Sequence, residues 1–177
     1  MKKFLFLLIV CAVVLGGGLF YTASQLTPYR ADVETSWSAV HEAAAARAKL
    51  VPDLCRELKV FSSKEATIRK EAEEAAVTVI SAENAKQMAA PNDILSSDIG
   101  KLVLAAESYT YLMARDDFRS LLKELEAAEN RLAVTRAAYN RAADAYNAEL
   151  RKFPVSAFAK LLGDEPVSRI GRLKTKD

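Results

Sequence analysis

Apolar residues recur along the middle of this chain at alternating steps of four and three. Val33, Trp37, Val40 and Ala44 open the series, Val51, Leu54, Leu58 and Phe61 continue it, and Ile68, Ala72, Ala75, Val79 and Ala82 close it. That spacing draws one apolar stripe on a helix. Pro52 lies inside the stripe and lacks an amide donor, so two divisions fit: a helix to about Leu50 followed by one from about Pro52 to Lys86, or a single helix kinked at Pro52. The stretch Ala89–Asp98, AAPNDILSSD, collects Pro, Asn, Asp and Ser and predicts a loop, with Ser96 or Ser97 capping the next helix. That third helix is expected from Asp98 to about Met113, ending near Arg115 and Asp116. A fourth is expected from about Asp117 to Phe153, stopping ahead of Pro154 because the residue before proline avoids helical geometry.

The fourth helix carries the most regular pattern. Phe118, Leu125, Leu132, Tyr139, Tyr146 and Phe153 follow one another at intervals of seven, and Leu121, Ala128, Thr135 and Ala142 stand three residues after the first four. This is a heptad seam. Small Ala beside bulky Tyr allows close helix approach, and each phenol can send its hydroxyl to a buried partner. Asn140 and Asn147 fall next to the seam, where an amide can satisfy polar atoms on a neighbour and fix register. The other use of such a face is a polar groove that binds a ligand.

Two charges, Arg47 and Glu65, interrupt the first stripe on its inward side. Buried without a partner, either would carry a large desolvation penalty, so other helices are expected to supply opposite charges. Glu129 on the fourth helix is the candidate for Arg47. The alternative is that each long side chain carries its polar end out to water.

The N-terminus obeys a different rule. After Lys2 and Lys3 comes FLFLLIVCAVVLGGGLFY, Phe4 to Tyr21, without a charge. At ~1.5 Å per residue the run just crosses a hydrocarbon core of ~30 Å, which predicts a membrane helix with Tyr21 at the interface. Three other readings compete. A cleaved signal peptide would use Thr22-Ala23-Ser24; a lipoprotein would modify Cys11, although Val10 rather than a small residue precedes it; and a core helix would want a polar stripe that is missing. Lys2 and Lys3 ahead of the span, with no basic residue after it until Arg30, keep the N-terminus in the cytoplasm and the rest outside it. The expected organisation is residues 1–3 cytoplasmic, 4–21 in the membrane, 28–153 a helical domain, and 154–177 a C-terminal tail.

Composition narrows the function. Low glycine and proline counts with abundant Ala, Leu, Glu, Lys and Arg predict an all-α protein of 177 residues. A net charge of +2, from 25 basic and 23 acidic side chains, gives no field for nucleic acid. The basic run Arg169, Arg172, Lys174 and Lys176 reads as a solvated end. One histidine, His41, and two separated cysteines, Cys11 and Cys55, offer neither a ligand cluster nor a disulfide framework, so no metal or cofactor is expected and Cys55 reads as a small packed hydrophobe. Glu71, Glu73 and Glu74 beside Lys70 form a solvated face. Gly16-Gly17-Gly18 lies inside the apolar run and is no phosphate loop. No catalytic grouping emerges, and no small-molecule substrate is expected.

Several blocks taken together resemble the LemA family, from about Tyr21 to Gly163. They are Ser36-Trp37-Ser38 with Val40; Arg47 leading into Leu50-Val51-Pro52-Asp53-Leu54; Glu107, Tyr109, Leu112, Ala114 and Phe118; and, most specific, Glu129-Asn130-Arg131, Tyr139-Asn140, Tyr146-Asn147 and Phe153-Pro154. Departures are Asp53 for the usual Asn, Lys64 where His is usual, and Thr110 for the proline expected after Tyr109. The resemblance implies a bacterial protein with one N-terminal transmembrane helix, followed by an elongated antiparallel four-helix up-and-down bundle outside the cytoplasm. It implies no enzymatic activity, and envelope partners that include proteins with TPM-type domains. Two function classes remain: an anchored interaction scaffold, or a membrane-organising protein acting through Phe153–Leu173, where Phe153, Val155, Phe158, Leu161 and Leu162 are mixed with Lys152, Lys160, Arg169 and Arg172.

Overall fold

The computed structural model describes residues 2–59 and 65–171, and among them every regular element is helical. Helix α1 runs unbroken from Lys2 to Ala48, through Pro28. The expected boundary at Pro28 is absent: the proline lies on an exposed face, where water can take the place of the missing amide. After a turn at Lys49 and Leu50, α2 spans Val51–Lys59 with Pro52 in its first turn, where an amide has no helical acceptor anyway. The two-helix division therefore holds and the single kinked helix does not. The second helix does not reach Lys86, however, since α3 starts at Ala66 and ends at Ser81. Phe61 and Lys64 lie outside the described residues.

The loop expected at Ala89–Asp98 is helical. Helix α4 spans Ala85–Glu107 with Pro91 inside it, and the turn lies earlier, at Ala82–Asn84. Asn84 and Gln87 make that turn reciprocally: Gln87 N–H donates to Asn84 Oδ1 (3.0 Å), and Glu83 N–H donates to Gln87 Oε1 (2.9 Å). This is capping-box chemistry, and it displaces Ser96 and Ser97 from the role of cap. Met88, Asn92, Leu95, Ile99, Leu102 and Ala106 keep helical spacing through the polar stretch and are all buried. Burial of that stripe outweighs the local turn preference of Pro, Asn and Ser. Helix α3 packs against α4 with Ala72, Ala75, Ala76 and Val79 inward, and α2 contacts both.

Beyond a break at Ser108 and Tyr109, α5 is a short Thr110–Ala114 turn. Helix α6 covers Asp116–Glu149, its first turn led by Asp116 and Asp117, which suit the positive end of the helix dipole. The heptad residues Phe118, Leu125, Leu132, Tyr139 and Tyr146 are buried. The pattern fails at its last member: α6 ends at Glu149 and Phe153 is 86% exposed. Leu150 is instead drawn into a cluster with Val155 and Ala159, which requires the chain to turn. Helix α7 is Val155–Phe158, followed by one 3-10 turn, Ala159–Leu162, closed by Gly163 at φ +79°, a left-handed conformation that glycine adopts freely.

The chain gathers into two compact units: the N-terminal residues to Thr35 with Asn140–Ser168, and Ser36–Tyr139 with the stretch beginning at Arg169. In the first, Leu26, Tyr146, Leu150, Val155 and Ala159 form the core, edged by Tyr29, Val33 and Val167. In the second, Ile170 is buried and Arg169 exposed. Arg169 is thus exposed as the basic run suggests; Arg172, Lys174 and Lys176 lie outside the described residues.

Candidate functional site

In the second unit, the apolar spacing of α1 carries Arg47 inward, where its side chain is 1% exposed. Two other helices supply its partners. Nη1 donates to Ser96 Oγ at 2.7 Å on α4 and to Glu129 Oε2 on α6, while Nη2 donates to Asn92 Oδ1 at 2.7 Å. Ser96 Oγ donates in turn to the Asn92 carbonyl (2.9 Å). A planar guanidinium with five N–H donors is the one side chain that can engage three acceptors in fixed directions at once. Asn92 and Ser96, whose composition predicts a loop, are thus the seat of Arg47. Glu65 has a different setting: it stands half-buried before α3, and its Oε2 has no partner among the described residues.

Around this core, Trp37 stacks on His41 with ring centroids 5.3 Å apart and meets Tyr139 edge to face at 6.1 Å. His41 Nε2–H donates to the Ile80 carbonyl (3.2 Å), so the single imidazole is committed to packing. Burial alone pushes the Tyr139 phenol above its ordinary pKa. Arg131 pairs with Glu42 at 2.9 Å on an exposed face, and Asn130 is exposed. Cys55 is buried, and desolvation first, then the charge of Glu73, push its thiol up to about 11, a poor nucleophile.

The first unit contains a second network. Asp164, 8% exposed, accepts from Arg30 Nε at 2.8 Å and from Arg30 Nη2, and its Oδ1 also accepts from the Tyr146 hydroxyl at 2.8 Å. The bond to Asp164 raises the Arg30 guanidinium still further; burial first, then Asp164, push the Tyr146 phenol up to about 12. Asn147 Nδ2 donates to the Val167 carbonyl and Asn147 Oδ1 accepts from the Val167 amide, both at 2.9 Å. Asn140 is half-buried in the same unit. Tyr146 and Asn147 therefore meet the C-terminal segment, whereas Tyr139 meets Trp37 on a neighbouring helix, as the seam predicts.

Sequence reasoning misses Arg30 and Asp164. Leu26, Arg30, Val33 and Trp37 continue the first stripe backward at helical spacing, and only the assumed boundary at Pro28 hides it.

Two grooves, each about 710 Å³, lie in the second unit. One, between α4 and α6, is floored by Ile99, Val103, Leu122 and Leu125 and edged by Glu129 and Asn130. The other, between α3 and α4, is lined by Glu71, Glu74, Asp93 and Asp98 with Lys101, which bonds Asp98 at 2.8 Å. Neither brings a nucleophile to a base among its described lining residues, and no three His, Cys, Asp or Glu side chains among the described residues could hold a metal ion.

The geometry defines an all-helical protein with a long apolar N-terminal helix and polar side chains spent on pinning helices together. The chain matches the LemA family over residues 36–170 and belongs to it. It is also similar to magnetosome proteins MamQ 1 and MamQ 2 of Paramagnetospirillum magneticum (strain ATCC 700264 / AMB-1). Each is 32% identical over 65 residues, 37% of this chain and 24% of the relative. The match thus spans about a quarter of those proteins' length.

Proposed function

We propose that this LemA family protein is a non-enzymatic scaffold of the bacterial cell envelope, anchored in the inner membrane by Phe4–Tyr21. In this reading the N-terminus is cytoplasmic, and the helices beyond the span pack outside it as an antiparallel four-helix up-and-down bundle that docks another envelope protein, TPM-domain proteins among the candidates. One observation carries the proposal. Phe4, Phe6, Leu7, Val13, Val14 and Phe20 are each at least 59% exposed, on the one helix among the described residues long and apolar enough to cross a membrane. Water would not tolerate that face; lipid would. The polar interior supports the non-enzymatic part, since Arg47, Glu129, Tyr146 and Asp164 all have structural partners.

The test is topological. A periplasm-active reporter fused after Asp177 should be active and a cytoplasm-active one silent, with the protein staying in membranes after carbonate washing. The opposite reporter pattern overturns the topology, and release by carbonate overturns the anchor. A second reading, a membrane-organising or membrane-remodelling protein acting through the tail, draws on the exposure of Phe153 and Leu161. It requires the purified chain to deform vesicles, which the scaffold does not.

A further inference from the structure

Gly18 belongs to the apolar run, yet one of its sides is covered by protein. A Cβ added there would stand 2.4, 2.6 and 2.9 Å from three ring carbons of Phe158, whereas Gly16 and Gly17 face open space. Any side chain at position 18 would push the ring aside, so glycine is what lets the aromatic ring of α7 sit directly on the backbone of α1. The contact fixes the height of the segment 151–162 along α1. Gly18 precedes Tyr21 by three residues, so the ring lies ~4.5 Å inside the outer end of the expected span.

The same short segment has two faces. Val155 and Ala159 turn into the core with Leu26, Tyr146 and Leu150. Phe153 is 86% exposed, Leu161 70% and Leu162 37%, and the cations Arg151, Lys152 and Lys160 are exposed among them. Apolar side chains and cations mixed at the level where an apolar helix leaves its span suit neither water nor hydrocarbon alone. They suit the boundary between acyl chains and anionic headgroups, where interfacial segments sit ~5–10 Å deep.

We infer that residues 151–162 form a lipid-facing shelf, lying on the outer leaflet of the bilayer that α1 enters, with Phe153, Leu161 and Leu162 among the acyl chains, Arg151 and Lys160 at phosphate, and Lys152 held by Glu149 at 2.6 Å. The inference rests on the reading of Phe4–Tyr21 as a membrane span. Two contacts, one through the bilayer and one along it, hold the first unit at a set tilt, which a single helix does not define.

The experiment uses the full chain in phosphatidylcholine–phosphatidylglycerol nanodiscs whose lipids carry bromine either near the headgroup or deep in the chains. Phe153→Trp reports the shelf, Phe6→Trp reports the span, and Trp37, present throughout, supplies the background. The expected result is quenching of Phe153→Trp by shallow bromine, about twofold or more, and of Phe6→Trp, ~3 Å inside the opposite end of the Phe4–Tyr21 span, by shallow bromine as well, with deep bromine the weaker quencher of both. Adding Gly18→Leu, which displaces Phe158, should remove the Phe153→Trp quenching and leave that of Phe6→Trp. A quenched Phe6→Trp beside an unquenched Phe153→Trp overturns the shelf and spares the anchor. Quenching of neither overturns the anchor and the shelf with it. Phe153→Trp quenching that survives Gly18→Leu overturns the role assigned to the glycine in setting depth.

Discussion

The two ion pairs attached to the heptad helix are built with opposite polarity. In the Arg47–Glu129 pair the cation is the hidden partner, its side chain 1% exposed against 34% for the carboxylate. In the Arg30–Asp164 pair the anion is hidden, 6% exposed against 41% for the guanidinium. The cost of breaking such a pair falls on whichever charge is left in the interior, because the exposed partner can be hydrated again. The fold therefore depends on a different chemical group in each unit, the guanidinium of Arg47 in one and the carboxylate of Asp164 in the other.

The largest expected effect is a reversal of sensitivity between the two pairs. Glu129→Gln leaves a buried guanidinium without its carboxylate, and Arg30→Met leaves a buried carboxylate without its cation. Each should cost about 3–5 kcal/mol. Asp164→Asn frees an arginine already half in water and keeps an acceptor for Tyr146, so about 1–2 kcal/mol is expected. Denaturant unfolding of the full chain in detergent measures all three. Equal losses for Arg30→Met and Asp164→Asn would show that exposure does not govern the cost. Arg47→Met should also be severe for a separate reason: it strips Asn92, which is fully buried, of its donor. The double mutant Arg47→Met with Glu129→Gln should lose less than the sum of its singles.

The next largest effect is one of pH. Tyr146 titrates near 10 when unfolded and is pushed up to about 12 in the fold. The folded state therefore holds its proton more tightly. Its contribution to stability is complete below pH ~10 and declines as pH rises toward 12. Tyr146→Phe should flatten that decline and, by leaving Asp164 one donor short, cost about 1–3 kcal/mol at neutral pH. A variant that kept the alkaline decline would assign it to another group.

A smaller and more local loss is expected from Asn147→Ala. It removes two hydrogen bonds to Val167, so amide exchange should accelerate in Gly163–Ile170 with little change in Leu125–Leu132. The smallest effect belongs to the exposed pair. Arg131→Ala removes an ion pair whose members are 58% and 69% exposed, and should shift stability by less than about 1 kcal/mol. A large shift there would move Arg131 from the surface to the interior partners.

How far these residues can be read from sequence depends on how each is signalled. Arg47 is legible as a charge interrupting an apolar stripe, and Glu129 answers the need for an opposite charge on a facing helix. The heptads of α6 are legible because packing enforces their spacing over many turns. Asn92 and Ser96 mislead, since local composition speaks for a loop while the forces keeping them helical are tertiary: the burial of Met88, Leu95 and Ile99 and the bonds to Arg47. Asp164 is held by residues far away in sequence, Arg30 and Tyr146, and nothing in its own neighbourhood announces that. Heptad spacing places the end of α6 too late for the same reason, because the cluster that draws Leu150 aside includes Leu26 from the other end of the chain.

The clasp between Asn147 and Val167 uses an amide side chain on one side and only main-chain atoms on the other. Position 147 therefore tolerates almost nothing, whereas position 167 presents the same N–H and carbonyl whatever side chain it bears, proline excepted. Selection at position 167 therefore acts on how its side chain packs against the core, while the path of the backbone stays put. A library randomised at both positions should return asparagine nearly alone at 147 and several apolar residues at 167, where the side chain also edges the core.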